Sequence, residues 1–236
     1  MKRIQHIVDP ERLLLVWKPP LETHESRSNL AVGSIDKDGT LLYLTEADDY
    51  QKAIEQGFTG YPAFSLERMR HDNVLPTFLR RLPPRQRSDF QDFLAYYRLP
   101  PEGTLSDFAL LANTGGRLPR DGFSVIPDLS QVKLPCELLL EVVGARHAPA
   151  IQEGYRPVVG SAARFQAEPS NAHDPNAVQV LLEDRRVGYV NRLQAKVLNR
   201  WLNPETVIDA RVDRINGTEE RPVIYLLIKV VSRESC

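Results

Sequence analysis

The run Ala177–Leu182 is apolar but for Gln179 and reads as a strand, meets Glu183-Asp184, and resumes as Arg186–Val190. Two strand-like runs joined by so short a polar connection can pair only as an antiparallel hairpin, because a parallel crossover needs a dozen residues or more. The segments around it follow the same grammar. Leu138–Val143 and Val158–Phe165 read as strands, and Ile208, Ala210 and Val212 alternate with Asp209, Arg211 and Asp213 as a half-buried strand does. Between them, Asn191–Asn203 reads as a helix with an apolar stripe of Leu193, Val197, Leu198, Trp201 and Leu202 and a basic stripe of Arg192, Lys196 and Arg200. Val223–Ile228 closes the series as a strand expected to be buried on both faces. Short strands with one helix before the last pair predict a small, partly closed barrel rather than an open parallel sheet.

The preceding half is different. Leu13–Trp17, Leu30–Ile35 and Leu41–Leu44 read as strands, the last two joined at Asp38-Gly39, so a small antiparallel sheet is expected. Helices should follow: one capped by Thr45 and Asp48 and closed by Gly57, one opened by Pro84 with Phe90, Phe93, Leu94 and Tyr97 on one face, and one capped by Thr104 and Asp107 and ending at Gly115-Gly116. That makes an α+β domain over residues 1–130, a joint within Ile126–Lys133, and a mostly-β domain over residues 135–236.

Charge narrows the partners. The chain has a formal net charge of −1, and from Pro135 onward its 13 basic residues are matched by 13 acidic ones. A protein that follows a long duplex by neutralising many phosphates carries a basic surplus, so extended non-specific binding is disfavoured while a small end-binding pocket is not. Cys136 and Cys236 form neither a disulfide framework nor a zinc-ligand set, and no apolar stretch approaches a membrane span, so the expectation is a cytoplasmic protein with no membrane contact. No phosphate-cradling glycine loop, nucleophile elbow or metalloprotease helix is found, so neither catalysis nor a cofactor is expected.

The most informative stretch is Glu168-Pro-Ser-Asn-Ala-His-Asp-Pro-Asn-Ala-Val-Gln-Val, followed beyond the hairpin by Val187-Gly-Tyr-Val190. Read residue by residue, Asn171, Asp174 and Asn176 between two strands are able turn formers, their side chains bonding the backbone a few positions on. His147, His173 and Asp174 could also offer imidazole and carboxylate ligands to a metal, although no third ligand has a spacing that would make them converge.

As a whole, this stretch resembles the signature of HIRAN domains, and Val142-Val-Gly-Ala-Arg-His147 resembles that family's first strand and the polar pair that ends it. The resemblance implies an OB-like barrel and a pocket for the 3′-hydroxyl end of single-stranded DNA. Carried over by position, Arg146 and His147 would line the strand, Asn171 and Asp174 would sit beside the terminal nucleotide, and Tyr189 and Arg192 would complete the groove. A carboxylate at Asp174 repels phosphate but accepts a hydrogen bond from a sugar hydroxyl, so it can tell a free end from a continuing backbone. His147 and His173 stand where the eukaryotic members place aromatic residues, and imidazole stacks on a base more weakly than tyrosine does.

The first half resembles the N-terminal subdomain of HipA-type toxin kinases, through Asp38-Gly39, Val74–Pro84, and Asp107–Gly116 before Gly122. That resemblance implies a surface for docking a protein partner, with no kinase core in this chain. The combined expectation is a non-enzymatic adaptor binding single-stranded DNA or DNA ends. The alternatives are an antitoxin-like regulator that binds a HipA-type kinase without nucleic acid, and a metal-dependent hydrolase.

Overall fold

The computed structural model describes residues 3–20, 29–101, 105–118 and 121–233. The chain divides into two compact units, one built on Val8–Gln131 and the other on the residues from Val132 onward together with Ile4–Ile7. The domain expected over residues 1–130 therefore loses a short N-terminal segment. Ile7 bridges Glu137 in parallel, the Glu137 N–H donates to the His6 carbonyl at 2.7 Å, and the Gln5 N–H donates to the Glu137 carboxylate at 2.6 Å. An isolated pairing of so few residues carries no periodicity, which is why the sequence does not announce it.

The first unit holds strands β1 (Arg12–Trp17), β2 (Leu30–Asp36) and β3 (Leu41–Tyr43), helix α1 (Asp48–Glu55), strand β4 (Arg70–His71), helices α2 (Leu75–Leu79), α3 (Phe90–Tyr96) and α4 (Asp107–Thr114), and strand β5 (Phe123–Pro127). The strands form one five-stranded antiparallel sheet in the order β4-β3-β2-β1-β5. The expected hairpin is there: Gly39 takes φ +87° and the Asp38 carboxylate accepts the Thr40 N–H at 2.9 Å. Leu13, Leu15, Val32, Ile35, Leu41 and Val125 pack beneath Tyr50, Phe58, Phe78 and Leu111.

Helix ends differ from the sequence expectations. Ala47, not Thr45, occupies the N-cap of α1, without a side-chain cap. α3 begins at Phe90, well beyond Pro84, and Ser106 caps α4 by accepting the Ala109 N–H at 3.0 Å; the expected cap Thr104 lies outside the described residues. Capping patterns identify candidates, but the residue whose backbone stays extended at the first turn wins the position.

One buried cation organises this unit's far edge. The Arg81 side chain, 3% exposed, donates to the Gly116 and Phe123 carbonyls at 2.5 and 2.8 Å, to the Tyr61 hydroxyl at 3.1 Å, and to both Asp121 oxygens at 2.6 and 3.1 Å. Burial opposes its charge, and the bonds to Asp121 and Tyr61 outweigh that, leaving the guanidinium more basic than usual.

The second unit holds β6 (Cys136–Glu141), α5 (Pro149–Gln152), β7 (Ala163–Ala167), β8 (Val178–Leu182), β9 (Arg185–Tyr189), α6 (Arg192–Trp201), β10 (Thr206–Gly217) and β11 (Pro222–Ser232). These strands make two three-stranded antiparallel sheets, β10-β11-β6 and β7-β8-β9. Single bridges pair Val143 with Tyr189 and Ala162 with Arg211, but neither sheet closes on itself, so the strands form two three-stranded sheets rather than one continuous closed OB-like ladder. A bridge pairs one residue, whereas barrel closure requires a continuous ladder with consistent stagger.

Two strand expectations also change. Val158 and Val159 are 61% and 59% exposed and lie in a turn closed at Gly160 (φ +91°), so β7 starts only at Ala163. β11 is not buried on both faces: Pro222, Ile224, Leu226, Ile228 and Val230 are buried while the residues between them are half-exposed. Each such buried side chain stabilises the fold by roughly 1.5–3 kcal/mol relative to exposure.

Candidate nucleic-acid interface

The β8–β9 hairpin turns where the sequence says it should. Glu183 and Asp184 both take positive φ, +49° and +63°, the requirement of a two-residue turn that matches strand twist. Beyond it, Gly188 approaches the neighbouring backbone so closely that a Cβ there would lie 2.6 Å from both the Val142 side chain and the Val143 carbonyl. This contact lets Val143 and Tyr189 exchange backbone hydrogen bonds of 2.8 and 2.9 Å. Gly144 then turns the chain with φ +74° into the tight helical turn Ala145–His147. Arg146 and His147 are thereby exposed on the turn that follows the Val143–Tyr189 pairing. The Arg146 Nε donates to His147 Nε2 at 2.8 Å, a bond that needs that ring nitrogen unprotonated.

The loop between β7 and β8 is tied by its own side chains. Asn171 Oδ1 accepts the N–H groups of His173 and Asp174 at 2.9 and 3.2 Å, and Asp174 Oδ1 accepts the Asn176 N–H at 2.8 Å. Turn chemistry is therefore part of what Asn171 and Asp174 do. It engages one oxygen of Asp174, while His173 is exposed.

The loop is joined to β9 by a residue outside the set expected from sequence. The Asn171 amide donates to Glu168 at 2.7 Å, and the Tyr189 hydroxyl and Gln179 also bond that carboxylate. These bonds, that from Asn171 foremost, hold the Glu168 carboxyl below the usual carboxylate range, while burial and then Glu168 push the Tyr189 phenol up. Arg186 completes the group: its Nη1 donates to the Tyr189 hydroxyl at 2.6 Å, and its guanidinium lies 5.3 Å from the ring centre and 3.9 Å from Glu168.

Of the expected residues, Asn171, His173 and Asp174 are brought together directly, Arg146 and His147 likewise, and Tyr189 stands between the two groups. No hydrogen bond or ion pair among the described residues joins Arg146 or His147 to the loop. Arg192 is exposed in the first turn of α6, where Asn191 caps by accepting the Leu193 N–H at 3.1 Å. No three histidine, cysteine or acidic side chains gather as a metal site among the described residues, and no helix there is long and apolar enough to cross a membrane. Cys136 is buried, its thiol pushed up to about 12 by burial and then by Glu137, and Cys236 lies outside the described residues.

Two antiparallel sheets, a polar loop tied to Tyr189 through Glu168, a cation-bearing turn after the Val143–Tyr189 pairing and the start of α6 three positions beyond Tyr189 make up a small β domain. Residues 137–232 match the model of the HIRAN domain family. Among solved structures, the HIRAN domain of human HLTF is similar at 20% identity, over 42% of this chain and 78% of that one, with a TM-score of 0.33. A protein from Lactobacillus plantarum is similar at 23% identity, over 39% of this chain and 91% of that one, also with a TM-score of 0.33. A search of curated proteins found no match. The family match starts at Glu137 and lends no support to the HipA resemblance of the first unit.

Proposed function

We propose that the second unit binds the ends of single-stranded DNA, without catalysis, through Arg146, His147, Asn171, His173, Asp174, Tyr189 and Arg192. The observation that carries this reading is the HIRAN match over residues 137–232, since HIRAN domains bind single-stranded DNA ends. The local chemistry supports it. Asp174 spends one oxygen on its turn, so the other is available to a sugar hydroxyl. Tyr189 is oriented by Glu168 and Arg186, whose guanidinium lies over its ring, so the ring's other face is the one that would stack on a base. Arg146 and Arg192 then supply phosphate contacts. The first unit, on its resemblance to the HipA N-terminal subdomain, is proposed to dock a protein partner.

The test is fluorescence anisotropy with labelled single strands that differ only in carrying a 3′-hydroxyl or a 3′-phosphate. Tighter binding to the free hydroxyl supports end capture. Equal binding to both would remove the end-specific part of the proposal, and no binding at low salt, where phosphate contacts are strongest, would remove it altogether.

A further inference from the structure

From Arg185 to Pro204 the chain contains Arg185, Arg186, Arg192, Lys196 and Arg200 and not one aspartate or glutamate, in a protein whose overall charge is nearly balanced. Three of these cations are on α6. Its buried face is Ala195, Val197, Leu198 and Trp201, so Arg192, Lys196 and Arg200 share the opposite, exposed face. They recur every four residues, which places successive cations about 6 Å apart along the helix axis and rotates each by only about 40° from the last. The row starts three positions after Tyr189 in sequence.

Arg200, in the last turn, suits the helix dipole, but acid–base pairing within the helix does not account for the row. An exposed helix face is normally laced with acid–base pairs four residues apart, and α6 contains no acid to make them. A cation in the first turn is moreover set against the helix dipole, and the first turn of α6, capped by Asn191, contains no acidic residue.

We propose that the exposed face of α6 is a phosphate track that carries the body of a single strand away from its captured end, with Lys196 and Arg200 contacting phosphates interior to the terminal nucleotide. The inference rests on the end-binding reading of the same unit and adds to it a length requirement. A strand too short to reach past Arg192 is held by its end alone, and a longer one gains two further charge contacts. Because these contacts go to the backbone, the track is indifferent to base identity.

The experiment compares the native full-length protein with Lys196→Gln/Arg200→Gln, using thymidine oligonucleotides of about 4 and about 16 nucleotides that share a free 3′-hydroxyl, across a salt series. Both changed side chains are exposed, and circular dichroism checks that the variant is folded. The native protein should bind the longer strand more tightly, and the variant should lose that advantage, its slope of log affinity against log salt becoming shallower by about 1.4 for two lost single-strand phosphate contacts. Affinity for the short strand and the preference for a 3′-hydroxyl over a 3′-phosphate should be unchanged. A long-strand affinity and salt slope equal to native would overturn the track while leaving end capture standing. If the native protein binds neither length, the end-binding reading fails and the track with it.

Discussion

The Asn171 amide donates to the Glu168 carboxylate at 2.7 Å, and the same carboxylate takes the Tyr189 hydroxyl. One acidic side chain thus fastens the β7–β8 loop to β9. The folded protein holds this carboxyl below its ordinary value, so its contribution to stability is present above the unfolded carboxylate range and is lost as pH falls through the depressed folded value. Glu168→Gln should therefore be less stable than native near neutrality, by roughly 1 kcal/mol for a partly exposed charged hydrogen bond, and the gap should close on acidification. Urea titrations of both proteins over a pH series measure it; a gap independent of pH would contradict the assignment.

Asp174 carries two roles that substitution can separate. Asp174→Asn keeps an oxygen to accept the Asn176 N–H, so stability should change little, whereas Asp174→Ala loses that bond at a cost of about 1 kcal/mol. If the carboxylate also accepts the terminal hydroxyl, both variants should lose discrimination between 3′-hydroxyl and 3′-phosphate strands. Loss of discrimination in Asp174→Ala alone would make the residue a turn former and nothing more.

Gly188→Ala should be destabilised by roughly 1–3 kcal/mol or more, because the new methyl would meet the Val143 carbonyl and the Val142 side chain at 2.6 Å, where backbone must shift. The separation would act on the Val143–Tyr189 pairing, so single-strand binding should weaken along with the melting temperature. Thermal unfolding followed through Trp201 in a Trp17→Phe background, with anisotropy at a temperature where both proteins are folded, checks both effects.

In the first unit, Arg81→Met should cost roughly 2–4 kcal/mol, since it leaves the partly buried Asp121 carboxylate with only the Phe123 N–H among the bonds shown and takes the guanidinium donor from the Gly116 and Phe123 carbonyls. Urea unfolding followed by the fluorescence of Trp17, in a Trp201→Phe background, reports on this unit. A loss below 1 kcal/mol would mean that water replaces the guanidinium without penalty.

Local patterns were legible wherever the physics is local. The strand-like apolar run Ala177–Leu182, the turn at Glu183-Asp184, the apolar stripe of α6 and the Asp38-Gly39 hairpin all follow from side-chain pattern and turn chemistry, and all are in the structure. The turn-forming role of Asn171 and Asp174 was likewise readable from their type and position.

What only the tertiary structure decided is which residues meet. Arg186 and Tyr189 are three positions apart in one strand, and strict alternation would put them on opposite faces. The register of β8 against β9 runs from Val180–Gly188 to Leu181–Arg186, leaving Val187 as an extra residue, and that bulge brings Arg186 round to the tyrosine. Neither the bulge nor the arrival of Glu168 from the far end of a loop has a sequence period. The chain's alternation and turns determine the strands and the hairpin; the close approach permitted by Gly188 and the slip at Val187 determine the site, because both depend on contacts between segments that no local pattern encodes.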